Sequence, residues 1–330
     1  MKTVQNIVWG VIGGGKVCEK KSMPAMDIIP HSRVKIVMRR NTSACKAFAD
    51  RHHIPNWTID SKDILHDPEI NAVYIATPPD SHATYTIQAA HAGKAVYVEK
   101  PMARNYKECK TMIKACKKAD VPLFVAYYRR ALPHFLRVKQ LLEEGAIGKI
   151  CSVHIAFYQT PRREDIVHPE QNWRIQPQIS GGGHFHDLAS HQLDLLDFLF
   201  GNIVSVHGIT ENRTGLYTPA DTLSAAFQFK SGVVGSGSWC FVSPASEEKD
   251  DIYILGEKGS LRFSTFAHAH IDITSEIQGT SQEQFELPVH IQELLIRSIV
   301  GQLRRVDMCP STGKTAARTS RVMDIICSNT

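Results

Sequence analysis

The sequence predicts two domains of different build. The first is an α/β domain with a doubly wound parallel sheet. The second is an α+β domain with a large, mainly antiparallel open sheet. Three observations carry this reading. Short, continuous apolar runs alternate with helical patterns as far as residue 125. A glycine turn follows the first of those runs. Beyond residue 126 strand patterns succeed one another with turn signals and few helices between them. A length of 330 residues leaves room for two domains, 1–125 and 126–330.

The first half reads as strands at "NIVWGVI" (6–12), "RVKIVM" (33–38), "AVYIA" (72–76), "AVYVE" (95–99) and "PLFVA" (122–126). They are β-branched or aromatic and apolar on both faces, as buried parallel strands are. Helices lie between them. Ser81 is expected to N-cap "HATYTIQAAHA", and Gly93 to close that helix at C′. Ser61 opens "KDILH", which Pro68 stops. Strand–helix alternation of this kind builds βαβ units. In the second half a helix at 134–148 leads to a strand at 149–159, and another helix spans 188–201. Strands follow at 203–209, 221–230, 233–241, 251–256 and 260–264, with hairpin turns at "KSGVV" and "GEKGS". A helix pair, 290–304 and 314–327, ends the chain.

Hydrophobic residues make up 43% and charged residues 22%, which places the chain among globular proteins. A net charge of +5 is too weak for a nucleic-acid binder. No apolar run is long enough to span a bilayer. The eight cysteines are scattered without a CxxC pair, and the start lacks a secretory cleavage pattern. A cytoplasmic location is expected, with a small-molecule substrate and neither nucleic acid nor membrane as partner.

"GVIGGGKVCEK" (10–20) follows a strand and opens a helix, the setting a dinucleotide fingerprint needs. Gly13 permits the tight turn, and Gly15 lets a pyrophosphate approach the backbone at the helix N-terminus. Lys16 belongs with them. Cys18 stands at the third fingerprint position and is small enough for close helix–strand packing. At the end of the second strand, "VMRRNTS" (37–43) carries Arg39 and Arg40 and no acid. The spacing from Gly15 is close to the roughly 20 residues expected for a ribose-binding residue. Two guanidiniums suit a 2′-phosphate, so NADP(H) is favoured over NAD(H).

"YIATPPDSH" (74–82) and "VYVEKPMA" (96–103) fall at the strand ends where ligands bind an open α/β sheet. With the glycine turn and the D-x-x-x-H of "SGGGHFHDLASH" (180–191), they resemble the Gfo/Idh/MocA (glucose–fructose oxidoreductase/inositol dehydrogenase) family. The resemblance extends over essentially the whole chain, including "NWRIQPQISGGG" and "GEKGSLRF". It implies a Rossmann domain and an NAD(P)-dependent oxidoreductase acting on a sugar, polyol or related cyclic alcohol or ketone. It implies that Lys100 touches nicotinamide ribose and substrate oxygen. His191 would donate or accept a proton, with Asp187 binding substrate or tuning the pair. Thr77, Pro78 and His82 would line the dinucleotide, alongside Glu99. Trp173 and Arg174 would reach cofactor or substrate.

Independent chemistry supports the assignment. Hydride transfer builds charge on a carbonyl oxygen, which calls for a proton or cation there. Asp187 and His191, four apart, share one face of an α-helix. His184, His186, Asp187 and His191 do not suit a metal on that geometry, because residues five apart point well away from each other at 3.6 residues per turn. No metal is expected, and His186 is left as a substrate candidate. Where relatives often carry asparagine in "GFNRRF", this chain has "VAYYRRALP" (125–133). Tyr128 is expected at the substrate. Arg129 and Arg130 hold an acidic substrate group or pair with neighbouring acids. Alternatives are a non-catalytic dinucleotide sensor, or an enzyme that recycles tightly bound NADP. An uncovered antiparallel sheet face, and the family resemblance, both imply a homodimer or homotetramer.

Overall fold

A computed structural model describes residues 4–277 and 279–328. Two compact units divide the chain. One comprises Met1–Tyr128 with Pro288–Ala317, the other Arg129–Leu287 with Arg318–Thr330. The first unit is therefore discontinuous. The segment 288–317, grouped with the second domain on sequence grounds, packs into the first.

The first unit holds a six-stranded sheet. Its strands are β1 (Ile7–Ile12), β2 (Ser32–Met38), β3 (Asn56–Thr58), β4 (Ala72–Ile75), β5 (Ala95–Val98) and β6 (Leu123–Val125). Their order is β3-β2-β1-β4-β5-β6, and every pairing is parallel. This is the doubly wound order, whose switch point lies between β1 and β4. Every residue of β1, β4 and β5 is buried, which explains their unbroken apolarity. β3 went unseen in the sequence because it is three residues long, two of them exposed.

Helix starts depart from the expected caps. Asp60, not Ser61, caps the helix Ser61–Leu65 by accepting the Lys62 N–H at 2.9 Å. Ser81 makes no cap. A 3₁₀ turn, Pro79–Ser81, precedes the helix His82–His91, and the Ser81 hydroxyl donates instead to Thr77 Oγ1 at 2.6 Å. Gly93 takes φ +71° just beyond that helix, the left-handed geometry of a C′ glycine.

The second unit holds an eight-stranded sheet. Its strands are β7 (Ile150–Tyr158), β8 (Ile203–Glu211), β9 (Thr222–Phe229), β10 (Val234–Cys240), β11 (Lys249–Gly256), β12 (Gly259–Phe263), β13 (His270–Ser275) and β14 (Gly279–Gln284). The order is β14-β13-β12-β11-β7-β10-β9-β8. Only β7 and β10 run parallel. Burial alternates along β8, β9 and β10, so one face packs inward and the other is exposed. β13 and β14 were not anticipated. β14, "GTSQEQ", lies at the sheet edge and is almost wholly exposed, so it has no apolar alternation to betray it. No helix among the described residues is long and apolar enough to cross a membrane.

Candidate active site

In the first unit the motifs converge on one edge of the sheet. β1, β4 and β5 are neighbours, and each ends in a motif: Gly13–Gly15, Thr77–Pro78 and Lys100–Pro101. Backbone bonds continue the ladder into these turns. The Gly13 N–H donates to Met38 O at 2.9 Å, Ala76 N–H to Ile12 O at 2.8 Å, and Glu99 N–H to Ile75 O at 2.9 Å.

The glycines differ in what they permit. Gly13 adopts φ +96°, and a Cβ there would lie 2.6 Å from Ala76 O, so no other residue fits. Gly15 is exposed, and a Cβ there would meet nothing within 4 Å. The room at Gly15 is thus toward solvent, over the start of a helix. The Gly15 carbonyl accepts the Glu19 N–H at 3.2 Å. The first N–H groups of such a helix have no intrahelical partner and face outward. Lys16 is exposed beside them. Cys18 is fully buried beneath the turn, and its thiol donates to Gly13 O at 3.3 Å. Burial raises its pKa far above the ordinary thiol range. A π turn, Cys18–Ser22, follows. These features fit a dinucleotide pyrophosphate.

Arg39 is half-buried. It donates to Ala44 O at 3.2 Å and lies 5.5 Å over the Phe48 ring. Its side chain also covers Gly14, whose absent Cβ would be 3.0 Å from Arg39 Cδ. Arg40 is exposed. Asn41 then caps the helix Thr42–Arg51 through Ala44 N–H at 2.8 Å. Two cations therefore flank a helix N-terminus, with no carboxylate from 39 to 43.

Glu99 and His82 lie deeper than the sequence implied. Glu99 is buried, and its carboxylate accepts from Tyr74 OH at 2.7 Å, Gln292 Nε2 at 2.8 Å and the Lys100 N–H at 3.1 Å. Gln292 Oε1 accepts from Tyr97 OH at 2.7 Å. A buried carboxylate requires such partners. Glu99 braces the backbone of Lys100. His82 is fully buried. Its Nε2 lies 2.8 Å from Thr77 O, and its Nδ1 lies 3.1 Å from Pro101 O. A neutral ring donates to only one of these carbonyls, and burial pushes its pKa below the ordinary value. The ring ties the Thr77 turn to the Lys100–Pro101 turn from inside.

In the second unit the chemistry gathers around the helix Ser190–Phe200 and the π turn Phe185–Ala189 that leads into it. π turns recur at functional sites. Its winding, wider than 3.6 residues per turn, shifts the phase on which the facing argument for the histidines relied. Contacts separate the histidines instead. His186 is buried, its ring pressed on Gly182, where a Cβ would lie 2.2 Å from Nδ1. Burial pushes its pKa down to about 4. It is an interior residue held against the turn that precedes it. His184 is also buried, with Nε2 2.8 Å from Asp165 Oδ2. Asn172 Nδ2 donates to the same carboxylate at 2.6 Å, and Arg162 N–H at 3.0 Å. Burial alone would raise the Asp165 pKa, but His184 and these donors outweigh it and hold it low. Among the described residues no group of three or more His, Cys, Asp and Glu is placed to hold a metal ion.

Asp187 Oδ2 accepts from Arg174 Nε at 3.2 Å, and Arg162 Nη1 stands 3.9 Å away. Arg174 in turn lies 4.5 Å over the neighbouring Trp173 ring. His191 is buried, with Nδ1 2.8 Å from Arg129 Nη1. The alternatives for the two arginines now resolve differently. Arg130 pairs with acids: it donates to Asp194 Oδ2 at 2.7 Å and to Asp197 Oδ2 at 3.0 Å, both carboxylates buried. Arg129 reaches His191 and Thr265 O, and Tyr128 is buried. The Arg129–His191 contact and the Gln292–Glu99 bond escaped the sequence reading, because partners 62 and 193 residues apart leave no local signal.

Known proteins share this fold. Residues 7–127 match the pattern of the oxidoreductase family with an NAD-binding Rossmann fold, and residues 135–262 match the GFO/IDH/MocA C-terminal domain. An oxidoreductase of Formosa agariphila is 40% identical over 324 residues, covering 97% of this chain and 98% of that protein. A levoglucosan dehydrogenase of Pseudarthrobacter phenanthrenivorans is 30% identical over 294 residues, 84% of this chain and 72% of that protein. A solved levoglucosan dehydrogenase in complex with NADH and levoglucosan superposes with a TM-score of 0.87 at 25% identity, covering 98% of this chain and 96% of that one. Matched in both halves and over nearly its whole length, the chain belongs to the Gfo/Idh/MocA family of oxidoreductases, and its first unit is that family's NAD-binding Rossmann domain.

Proposed function

We propose that this enzyme is an NADP(H)-dependent oxidoreductase of a sugar, polyol or related cyclic alcohol or ketone, with Lys100 and His191 serving the substrate oxygen. One observation carries the reading: adjacent parallel strands deliver the glycine turn, the Thr77 turn and Lys100 to a single sheet edge at the switch point. When bound, the nicotinamide supplies or takes up the hydride. The protein's own residues do the rest.

Gly13, Gly15 and Lys16 receive the pyrophosphate on the helix N-terminus, and Thr77 and Pro78 line the dinucleotide. Arg39 and Arg40 answer a 2′-phosphate where an NAD site would carry a carboxylate. Lys100, braced through its backbone by Glu99, presents its ammonium to the substrate oxygen and moves the proton there. His191 hydrogen-bonds the same oxygen. Asp187, Arg174 and Trp173 shape the substrate side. A sugar-class substrate is supported by the levoglucosan dehydrogenases among the relatives. The outward face of the second sheet exposes Val204, Ile209, Val234 and Leu255, which supports pairing with a second copy as a dimer or tetramer.

The test is Lys100→Met. Turnover of a sugar substrate is expected to fall by about 10²–10⁴-fold, the usual contribution of general acid–base catalysis. The Kd for NADPH should stay close to the wild-type value. Full activity in this variant would overturn the reading.

A further inference from the structure

Arg129 is 4% exposed and makes two directed contacts and one stacking contact. Its Nε donates to Thr265 O at 2.9 Å, and Nη1 stands 2.8 Å from His191 Nδ1. Its guanidinium carbon lies 4.3 Å over the Phe266 ring, which also meets the His191 ring edge to face at 5.6 Å. The turn carrying Thr265 and Phe266 is itself held, because Asp250 accepts the backbone N–H groups of Thr265, Phe266 and Ala267. Arg129 is thus held at the nitrogen of His191 by the turn that carries Thr265 and Phe266.

A guanidinium has donors only and does not lose its proton at accessible pH. The contact therefore requires a lone pair on Nδ1. In a neutral imidazole the single proton must then sit on Nε2. Protonating Nδ1 as well would set an N–H against an N–H of a buried cation, and the adjacent positive charge would oppose the imidazolium further. The carboxylates nearest along the His191 helix are engaged elsewhere, Asp187 by Arg174 and Asp194 by Arg130. Asp250 faces backbone amides of the turn.

We propose that Arg129 is a positioning residue that locks His191 in its Nε2–H tautomer, so that His191 acts as a neutral hydrogen-bond donor and not as the acid–base group. This deepens, and rests on, the reading that Lys100 and His191 serve the substrate oxygen. The proton that neutralises that oxygen leaves Lys100, which regains it from water, and His191 keeps its own Nε2 proton throughout. The same logic runs backward for alcohol oxidation.

The test reads the ring nitrogens directly. Histidine-¹⁵N-labelled protein, without cofactor, is examined by NMR from mildly acidic to mildly alkaline pH, with His191→Gln identifying the signals. The expected result is an Nε2–H pattern that persists on mild acidification. An Nδ1–H or doubly protonated ring in the wild type at neutral pH would overturn the proposal. In Arg129→Met, checked for folding by circular dichroism, His191 Nδ1 should lose the shift of a nitrogen that accepts a hydrogen bond from a cation, and kcat should fall by on the order of a hundredfold from lost positioning, with KM little changed. Arg129→Lys keeps a donor but not the fork and should retain the wild-type tautomer. An Nδ1 shift unchanged in Arg129→Met would also sink the idea. The tautomer is read without cofactor or turnover, so an active Lys100→Met enzyme would refute the underlying reading while leaving the tautomer result standing.

Discussion

The two units hold their candidate residues by opposite means. In the first unit the geometry is set by backbone: a glycine with φ +96°, ladder bonds running into each turn, and β1, β4 and β5 buried throughout. In the second unit it is set by side chains, with Arg130 buried against Asp194 and Asp197, and His184 buried against Asp165. Backbone-built sites tolerate little change of residue type. Charge-built sites tolerate little change of ionisation.

The largest effect should come from cutting the charge network. Arg130→Met leaves Asp194 fully buried without its ion partner, whereas Asp197 keeps Arg318 at 2.7 Å. Removing one member of a buried pair costs about 3–5 kcal/mol. Denaturant unfolding should report it, and adding Asp194→Leu should recover part of the loss. Recovery is the sharper outcome, since it isolates the stranded charge. A loss within about 1 kcal/mol would show that the second unit does not depend on its charges.

Acid should attack the same half next. His186 titrates near 4 when folded and 6.5 when unfolded. The neutral ring's contribution is therefore complete above pH 6.5 and is lost as pH falls toward 4, where the unfolded chain binds the extra proton. The loss is on the order of 3 kcal/mol. His134, also pushed down to about 4 by burial, adds to it in the same direction. His186→Phe should flatten the stability–pH profile over that range. An unchanged profile would refute the assignment.

The backbone-built half is probed by a pair of alanines. Gly13→Ala forces a Cβ against Ala76 O in a left-handed conformation and should destabilise the unit by about 1–3 kcal/mol. Gly15→Ala meets no protein atom, so stability should hold while dinucleotide binding weakens. Equal stability losses would break the distinction between a glycine kept for the fold and one kept for a ligand. The smallest effect is at Arg39. Arg39→Asp should weaken NADPH binding by about tenfold, roughly 1.4 kcal/mol, with a smaller change for NADH. A wild type that binds NADH more tightly would refute the NADP(H) preference.

The same contrast explains what could be read in advance. The strands β1, β4 and β5, the glycine turn and the E-K-P end are local patterns, and a buried parallel strand announces itself by continuous apolarity. Gly13 was assigned from its neighbours alone. The second half resisted because its order is long-range. Nothing near Arg129 in the chain points to His191, and nothing near Glu99 points to Gln292. The histidine segment misled for a local reason: the π turn at Phe185–Ala189 breaks the 3.6-residue phase on which the facing argument relied. Polar β14 carried no signal to read.

Gln292 has one more consequence, in the order of synthesis. The carboxylate of Glu99 waits for an amide made 193 residues later before its buried bonds are complete. As the chain leaves the ribosome, the dinucleotide-binding unit begins first and finishes after the second sheet has been made. A nascent chain halted at residue 287 would carry a whole second sheet and a first unit still missing its closing piece. The dinucleotide-binding unit is thereby completed only once the segment 288–317 has been made.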